Sequence, residues 1–221
     1  YLKEAIINFV ALLGWNPGEG STQEIFSLSE LIEKFDLKKV HKSGAVFDII
    51  KLDWLNSEYI KRLSTDELYE KSLPFFEQKD FYKDSRDEKK SEKYLKKVLI
   101  IEKDRLNNLS EVGEYNKFFF QDIDYPVELL KWKDIDPSDL IKSLKKSKDV
   151  LEKTNGKDWT KEYLEKNLLE TAGDKRGDLL WPLRVALTGE KTPPFEVLWV
   201  LGREESLKRL NFALNKASEL K

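Results

Sequence analysis

The sequence predicts a mainly α-helical fold, and three observations predict it. Apolar residues recur at helical spacing through most of the chain. Helix-start signals stand in front of several of these runs. The segments between them are short, as in a helical bundle.

Residues 1–13 place Leu2, Ile6, Phe9, Val10 and Leu13 on one face, and Gly14 ends the run. Asn16-Pro17-Gly18-Glu19-Gly20 is a turn-rich break. A short helix is expected over 29–35, an extended stretch over 45–50, and helix again over 51–63. Trp54 then falls at core spacing with Ile50 and Leu55. Ser64-Thr65-Asp66-Glu67 matches a capping box, opening a helix that Pro74 interrupts or ends. The charged run 83–97 merges into Val98-Leu99-Ile100-Ile101, which predicts one amphipathic helix to about 106 and a second over 110–120. Tyr125-Pro126 and Asp136-Pro137 read as helix starts. Further helices are expected over 137–153, 158–170 and 176–187. Thr192-Pro193 caps another, and Gly202 separates it from the last.

Composition excludes several functions. The chain has 221 residues, no cysteine, one histidine and a net charge of −2. Disulfide and thiolate chemistry are ruled out, a His-rich metal site is ruled out, and the pattern fits a cytoplasmic protein. No apolar run approaches the roughly 18 residues of a membrane span. With no global basic field, any nucleic-acid site must be a local patch. The start, Tyr1-Leu2-Lys3-Glu4, is expected to lie inside a longer natural chain. Gly18 and Gly20 do not form a phosphate loop, and His41 sits in the polar stretch Val40-His41-Lys42-Ser43-Gly44, where a surface role is expected. The acids are dispersed among lysines as solvated partners, so the residues alone describe a binding module without a catalytic set.

Three segments resemble the bacterial glutamyl-tRNA synthetase family. The first is Tyr1-Leu2-Lys3-Glu4-Ala5 through Asn8-Phe9-Val10-Ala11-Leu12-Leu13-Gly14-Trp15, followed by Glu24-Ile25-Phe26-Ser27. The second is Val46-Phe47-Asp48 with Lys51-Leu52-Asp53-Trp54-Leu55-Asn56 and Tyr59-Ile60. The third is Trp181-Pro182-Leu183-Arg184-Val185-Ala186-Leu187-Thr188-Gly189 with Thr192-Pro193-Pro194-Phe195 and Leu201-Gly202-Arg203-Glu204. They occur in the family's order and frame the chain.

The resemblance implies a stem-contact helical segment over 1–64, followed by an α-helical anticodon-binding bundle of the class I synthetase helix-cage type, in two parts, 65–120 and 121–221. It implies glutamate tRNA and the catalytic domain of the same polypeptide as partners, with no membrane and no DNA. The nucleotide-binding motif and the signature lysine loop are not in this chain. No cofactor is therefore expected in this part, while ATP and Mg belong to the full-length enzyme.

Glutamate and glutamine anticodons differ at the third base, cytosine against guanine. Arginine can donate to the O2 and N3 acceptors of cytosine, where guanine presents donors. The segment from Arg105-Leu106-Asn107-Asn108 to Phe118-Phe119-Phe120 resembles the part of the family that carries such an arginine, so Arg105 is assigned to that base. Arg184, Thr192 and Pro193 are the other anticodon-binding candidates, and Lys51 and Asn56 the stem candidates. Bland alternatives stand beside each: a surface arginine at 105, an ion pair of Arg184 with Asp178 or Glu196, and a simple helix cap at Thr192 and Pro193. Phe118-Phe119-Phe120 offers stacking faces or core. The lysines of 83–97 and Lys142, Lys145, Lys146 and Lys148 offer phosphate contacts or a solvated face. A helical protein-interaction scaffold without RNA binding is the competing class.

Overall fold

The computed structural model describes residues 1–18, 21–40 and 46–220. His41, Gly20 and Ala45 lie outside the described residues. Among those described there is no β-sheet, only an isolated bridge between Trp15 and Val40. The helices form two compact units, Tyr1–Asn116 and Lys117–Lys221.

In the first unit, α1 (Lys3–Gly14) packs on α3 (Ile49–Arg62), with α2 (Leu28–Lys34) beside α1. The inward face of α1 is Leu2, Ala5, Asn8 and Phe9. Ile6 and Val10, expected in the core, are exposed instead. The helix is rotated because Asn8 is drawn inward: its side chain donates to the Glu24 carbonyl at 2.9 Å and accepts from the Phe26 N–H at 2.7 Å and from the Tyr59 hydroxyl at 2.8 Å. A buried amide with these partners costs nothing in lost hydrogen bonds and fixes which face turns in. Trp54 is likewise outside the core at 40% exposure, and Ile50 is exposed at 77%. Helix α3 begins at Ile49, capped by the Asp48 carboxylate, so only the start of the expected extended stretch, Val46 to Asp48, stays non-helical.

Helix α4 (Thr65–Phe76) starts in the predicted capping box, with Ser64 and Glu67 each accepting from the other's N–H. Pro74 does not end it, because it lies so near the C-terminus that the last turn closes two residues beyond. The charged run is not one helix. It breaks into α5 (Asp80–Lys83), α6 (Asp87–Lys90) and α7 (Glu92–Glu102). Ser85 and Ser91 hydroxyls donate to the carbonyls of Tyr82 and Glu88, both at 2.7 Å, and this local bonding competes with continued helix. The expected helix over 110–120 is replaced by two 3-10 turns, Leu109–Glu111 and Glu114–Phe119. Gly113 lies between them at φ 76°, where a Cβ would stand 2.8 Å from the Phe81 ring.

The second unit is a bundle of α8 (Pro137–Lys153), α9 (Lys161–Ala172), α10 (Arg176–Thr188) and α11 (Pro194–Ala217). Pro126 opens only a 3-10 turn, Val127–Leu130. Thr160 caps α9, its hydroxyl accepting from the Tyr163 N–H. Thr192 does not cap α11. Pro193 does so, without a side-chain bond, because a residue followed by proline is held extended. Gly202 breaks α11 at φ 75°, ψ 176°, as its place in the sequence suggested.

Arg209, only 3% exposed, ties this unit together. Its guanidinium donates to the carbonyls of Leu187 at 2.5 Å, Phe118 at 2.6 Å and Gln121 at 3.3 Å, and to Glu205 at 2.9 Å. Truncating it removes the buried donors that hold three carbonyls and the half-buried Glu205 carboxylate. We expect Arg209→Ala to cost on the order of 3–5 kcal/mol in urea unfolding. Lys208→Ala, which removes an exposed pair with Asp122, should cost about 1 kcal/mol or less.

Candidate nucleic-acid interface

Each unit presents one candidate surface. In the first, α7 ends in the 3-10 turn Lys103–Arg105. Arg105 is exposed and, among the described residues, has no hydrogen-bond or ion-pair partner. The backbone around it is nevertheless held. Lys103 Nζ donates to the Leu63 carbonyl. The Asn56 side chain donates to the Asn107 carbonyl at 2.5 Å and accepts from the Leu2 N–H at 2.7 Å. Glu111 accepts from the Asn107 N–H and the Asn108 amide. Glu102, fully buried, accepts from the Gly113 N–H at 2.9 Å and the Asn116 amide at 3.0 Å. Burial pushes the Glu102 carboxyl up to about 7, opposed by those two bonds and by the nearby Arg105 charge. The result is a free guanidinium on a fixed, irregular segment.

The second surface runs along α10 and beyond it. Arg184 is half-buried, and its Nε is enclosed without a hydrogen-bond partner among the described residues. The ion pair offered as its alternative is not formed, since Glu196 pairs with Lys161 at 2.5 Å and Arg184 bonds to neither acid. One turn before it, Trp181 packs against Trp132 in a tilted ring contact, centroids 4.9 Å apart at 44°. Trp181 Nε1 donates to the Leu129 carbonyl, and Trp132 lies so close over Gly177 that a Cβ there would meet its ring nitrogen at 2.2 Å. Lys191 stands 5.6 Å over Trp181, and Lys133 5.5 Å over Trp132. Thr192, half-buried, and Pro193, exposed, follow Lys191 at the start of α11. The tryptophan pair was not singled out from the sequence, although Trp181 and Arg184 are three apart on one helix and Gly177 sits one turn earlier.

The remaining candidates are placed elsewhere. Lys51 is bound to Glu24 at 2.7 Å. Asn56 is fully buried with both ends of its amide used inside the protein, so it anchors the Arg105 segment and presents nothing to a tRNA stem. Phe118, Phe119 and Phe120 are all core, which removes the stacking face expected there. Among the lysines, Lys96 is shared by Asp66 and Glu92, Lys89 is buried, and Lys142 and Lys148 pair with Asp139 and Glu152. Lys145 and Lys146 are exposed.

Free guanidinium groups and cation-flanked tryptophans suit a polyanion that carries unstacked bases. The class that this fold and these surfaces define is therefore a helical binding module that offers cationic and aromatic groups. Comparison with known proteins makes it specific. Residues 67–214 match the family model for the anticodon binding domain, and the chain belongs to that family. Residues 1–54 match the model for the catalytic domain of class I tRNA synthetases of the E and Q type. The chain is 37% identical over 227 residues to the glutamate–tRNA ligase of Clostridium novyi, covering 99% of this chain and 45% of that protein. It is 37% identical over 224 residues to that of Clostridium acetobutylicum, covering 98% of this chain and 44% of the relative. The chain thus spans less than half the length of these relatives. Among solved structures it is similar to a glutamate tRNA ligase of Elizabethkingia meningosepticum in complex with its amino acid, with a TM-score of 0.81 and 27% identity, over 100% of this chain and 42% of that one. A glutamate-tRNA synthetase of Elizabethkingia anophelis superposes with a TM-score of 0.73 at 27% identity, over 97% of this chain and 41% of that one.

Glu102 also makes stability depend on pH. Its folded value, about 7, lies above the ordinary 4.5, so the native state binds more protons than the unfolded one between these limits. Stability should therefore fall as pH rises from about 4.5 to 7 and level off above. Glu102→Gln should flatten that slope in urea titrations at stepped pH.

Proposed function

We propose that this chain binds glutamate tRNA at its anticodon and stem, and so supports the charging of that tRNA with glutamate by the catalytic domain of the same polypeptide, in the cytoplasm. The observation that carries the reading is Arg105: exposed, unpaired, and held on a segment pinned at both ends, inside the region matched to the anticodon-binding family. Its fork of N–H donors fits the O2 and N3 acceptors of cytosine and meets donors on guanine. Arg184, with Thr192 and Pro193 at the opening of α11, forms the second contact, where a base can lie against the tryptophan pair and a phosphate against Lys191. The division into a stem-contact part over 1–64 and anticodon-binding parts over 65–120 and 121–221 belongs to this reading. So does the assignment of ATP and Mg to the catalytic domain; among the described residues no group of three or more acids or histidines is placed to hold a metal ion. No helix of the described residues is long and apolar enough to cross a membrane.

One observation bears on the protein-scaffold alternative. Ile32, Leu37, Phe47 and Ile50, exposed at 63–80%, all lie within the 54 residues that match the catalytic-domain model. We assign this apolar face to packing against the rest of that domain, which leaves RNA binding to the surfaces described above.

The test is a binding titration at fixed moderate salt with glutamate tRNA and with the same tRNA carrying guanine at the third anticodon position. Wild type should prefer cytosine by about 1–3 kcal/mol, and Arg105→Ala should erase that preference. Affinity should fall steeply as salt rises. Equal binding of both tRNAs by wild type removes the base-reading role from Arg105, and salt-insensitive behaviour favours the scaffold.

A further inference from the structure

The segment 103–116 has little regular structure of its own. Three short 3-10 turns start in it, the last two separated by Gly113 in a left-handed conformation, and such a segment holds one shape only if its backbone polar groups have fixed partners. Glu102 supplies that partner. Its fully buried carboxylate accepts from the Gly113 N–H through one oxygen and from the Asn116 amide through the other, so one side chain closes the loop on itself three residues before Arg105. Gly113 cannot drift without either losing this bond or driving into the Phe81 and Phe76 rings that enclose it.

We propose that Glu102 is a positioning residue for tRNA recognition: by clamping Gly113 and Asn116 it sets the loop from which Arg105 meets the third anticodon base. This rests on the reading of Arg105 given above. Glu102 touches no RNA and acts through the loop. The charged and titratable groups facing it are Arg105, whose charge favours the carboxylate, Glu114, which opposes it, and Tyr115, to which it is electrostatically coupled. Glu114 is itself bound to Lys79 at 2.6 Å, which offsets its effect. Ionised, Glu102 accepts strongly at both oxygens. Protonated, it keeps both bonds only if the Asn116 amide turns over to accept from the carboxyl O–H, the same adjustment a glutamine there requires.

The experiment measures the preference for cytosine over guanine at the third anticodon position, from pH 5.5 to 8.5, for wild type, Glu102→Ala, Glu102→Asp and Glu102→Gln. Wild type should prefer cytosine about tenfold or more across this range. In Glu102→Ala the preference should collapse while salt-dependent binding to both tRNAs remains. Glutamine can keep both bonds if the Asn116 amide turns over, so Glu102→Gln should keep the preference. Should the alanine variant fail to fold, Glu102→Asp, whose shorter side chain reaches one donor, should show a partial loss. Full wild-type preference in a folded alanine or aspartate variant overturns the positioning role. If wild type itself shows no preference, the reading of Arg105 has failed and this inference falls with it, an outcome distinct from wild type discriminating and the variants discriminating equally.

Discussion

The backbone between α7 and α8 has to satisfy its polar groups without a helix, and that constraint shapes both units. Where residues 103–116 leave helical geometry, Glu102, Asn56 and Glu111 take up N–H and carbonyl groups that a helix would have paired internally. Where residues 118–125 do so, Arg209 and Lys216 accept the same task from α11, bonding the carbonyls of Phe118, Gln121 and Tyr125. A buried charge stripped of water is costly unless each of its lone pairs or protons is used. Both oxygens of Glu102 accept, from the Gly113 N–H and the Asn116 amide, and Arg209 donates to three carbonyls and Glu205, so these side chains hold irregular chain in place. The functional consequence lies in the first unit: a fixed segment carries an arginine that has no hydrogen-bond or ion-pair partner among the described residues.

Much of the helical framework was legible in the sequence. The capping box at Ser64, Pro137 opening α8 and Gly202 breaking α11 are local signals, and local signals survive folding. What was not legible depended on partners distant in sequence. Periodicity alone placed Ile6 and Val10 inside and gave Asn8 no role, because the bonds that turn Asn8 inward come from residues 24, 26 and 59. Charge periodicity drew one helix through 83–97, where serine hydroxyls end two short ones. Of the candidate site, Arg105 and Arg184 emerged as free guanidinium groups. Asn56 turned out to be internal because its bond partners, Leu2 and Asn107, lie about fifty residues away on either side.

Electrostatics gives the two surfaces their meaning. The chain carries a net charge of −2, and many of its lysines, Lys51, Lys96 and Lys142 among them, are paired with acids, where exposed pairs add little stability. Against that near-neutral background, an exposed arginine without a partner among the described residues is conspicuous. Arg105 keeps its donors available, and the Trp132–Trp181 pair keeps lysines at its faces. A polyanion with unstacked bases can satisfy all of these at once, whereas a folded protein partner has little reason to leave them vacant until it binds.

The most direct measurement is competition by pieces of the tRNA. An isolated anticodon stem-loop of glutamate tRNA and an isolated acceptor-stem hairpin would each be titrated against the complex of this chain with labelled whole tRNA, at one salt concentration. The account predicts that the anticodon stem-loop displaces the whole tRNA and that the acceptor hairpin does so poorly. Displacement by the acceptor hairpin alone would contradict it, since recognition would then lie away from Arg105 and Arg184.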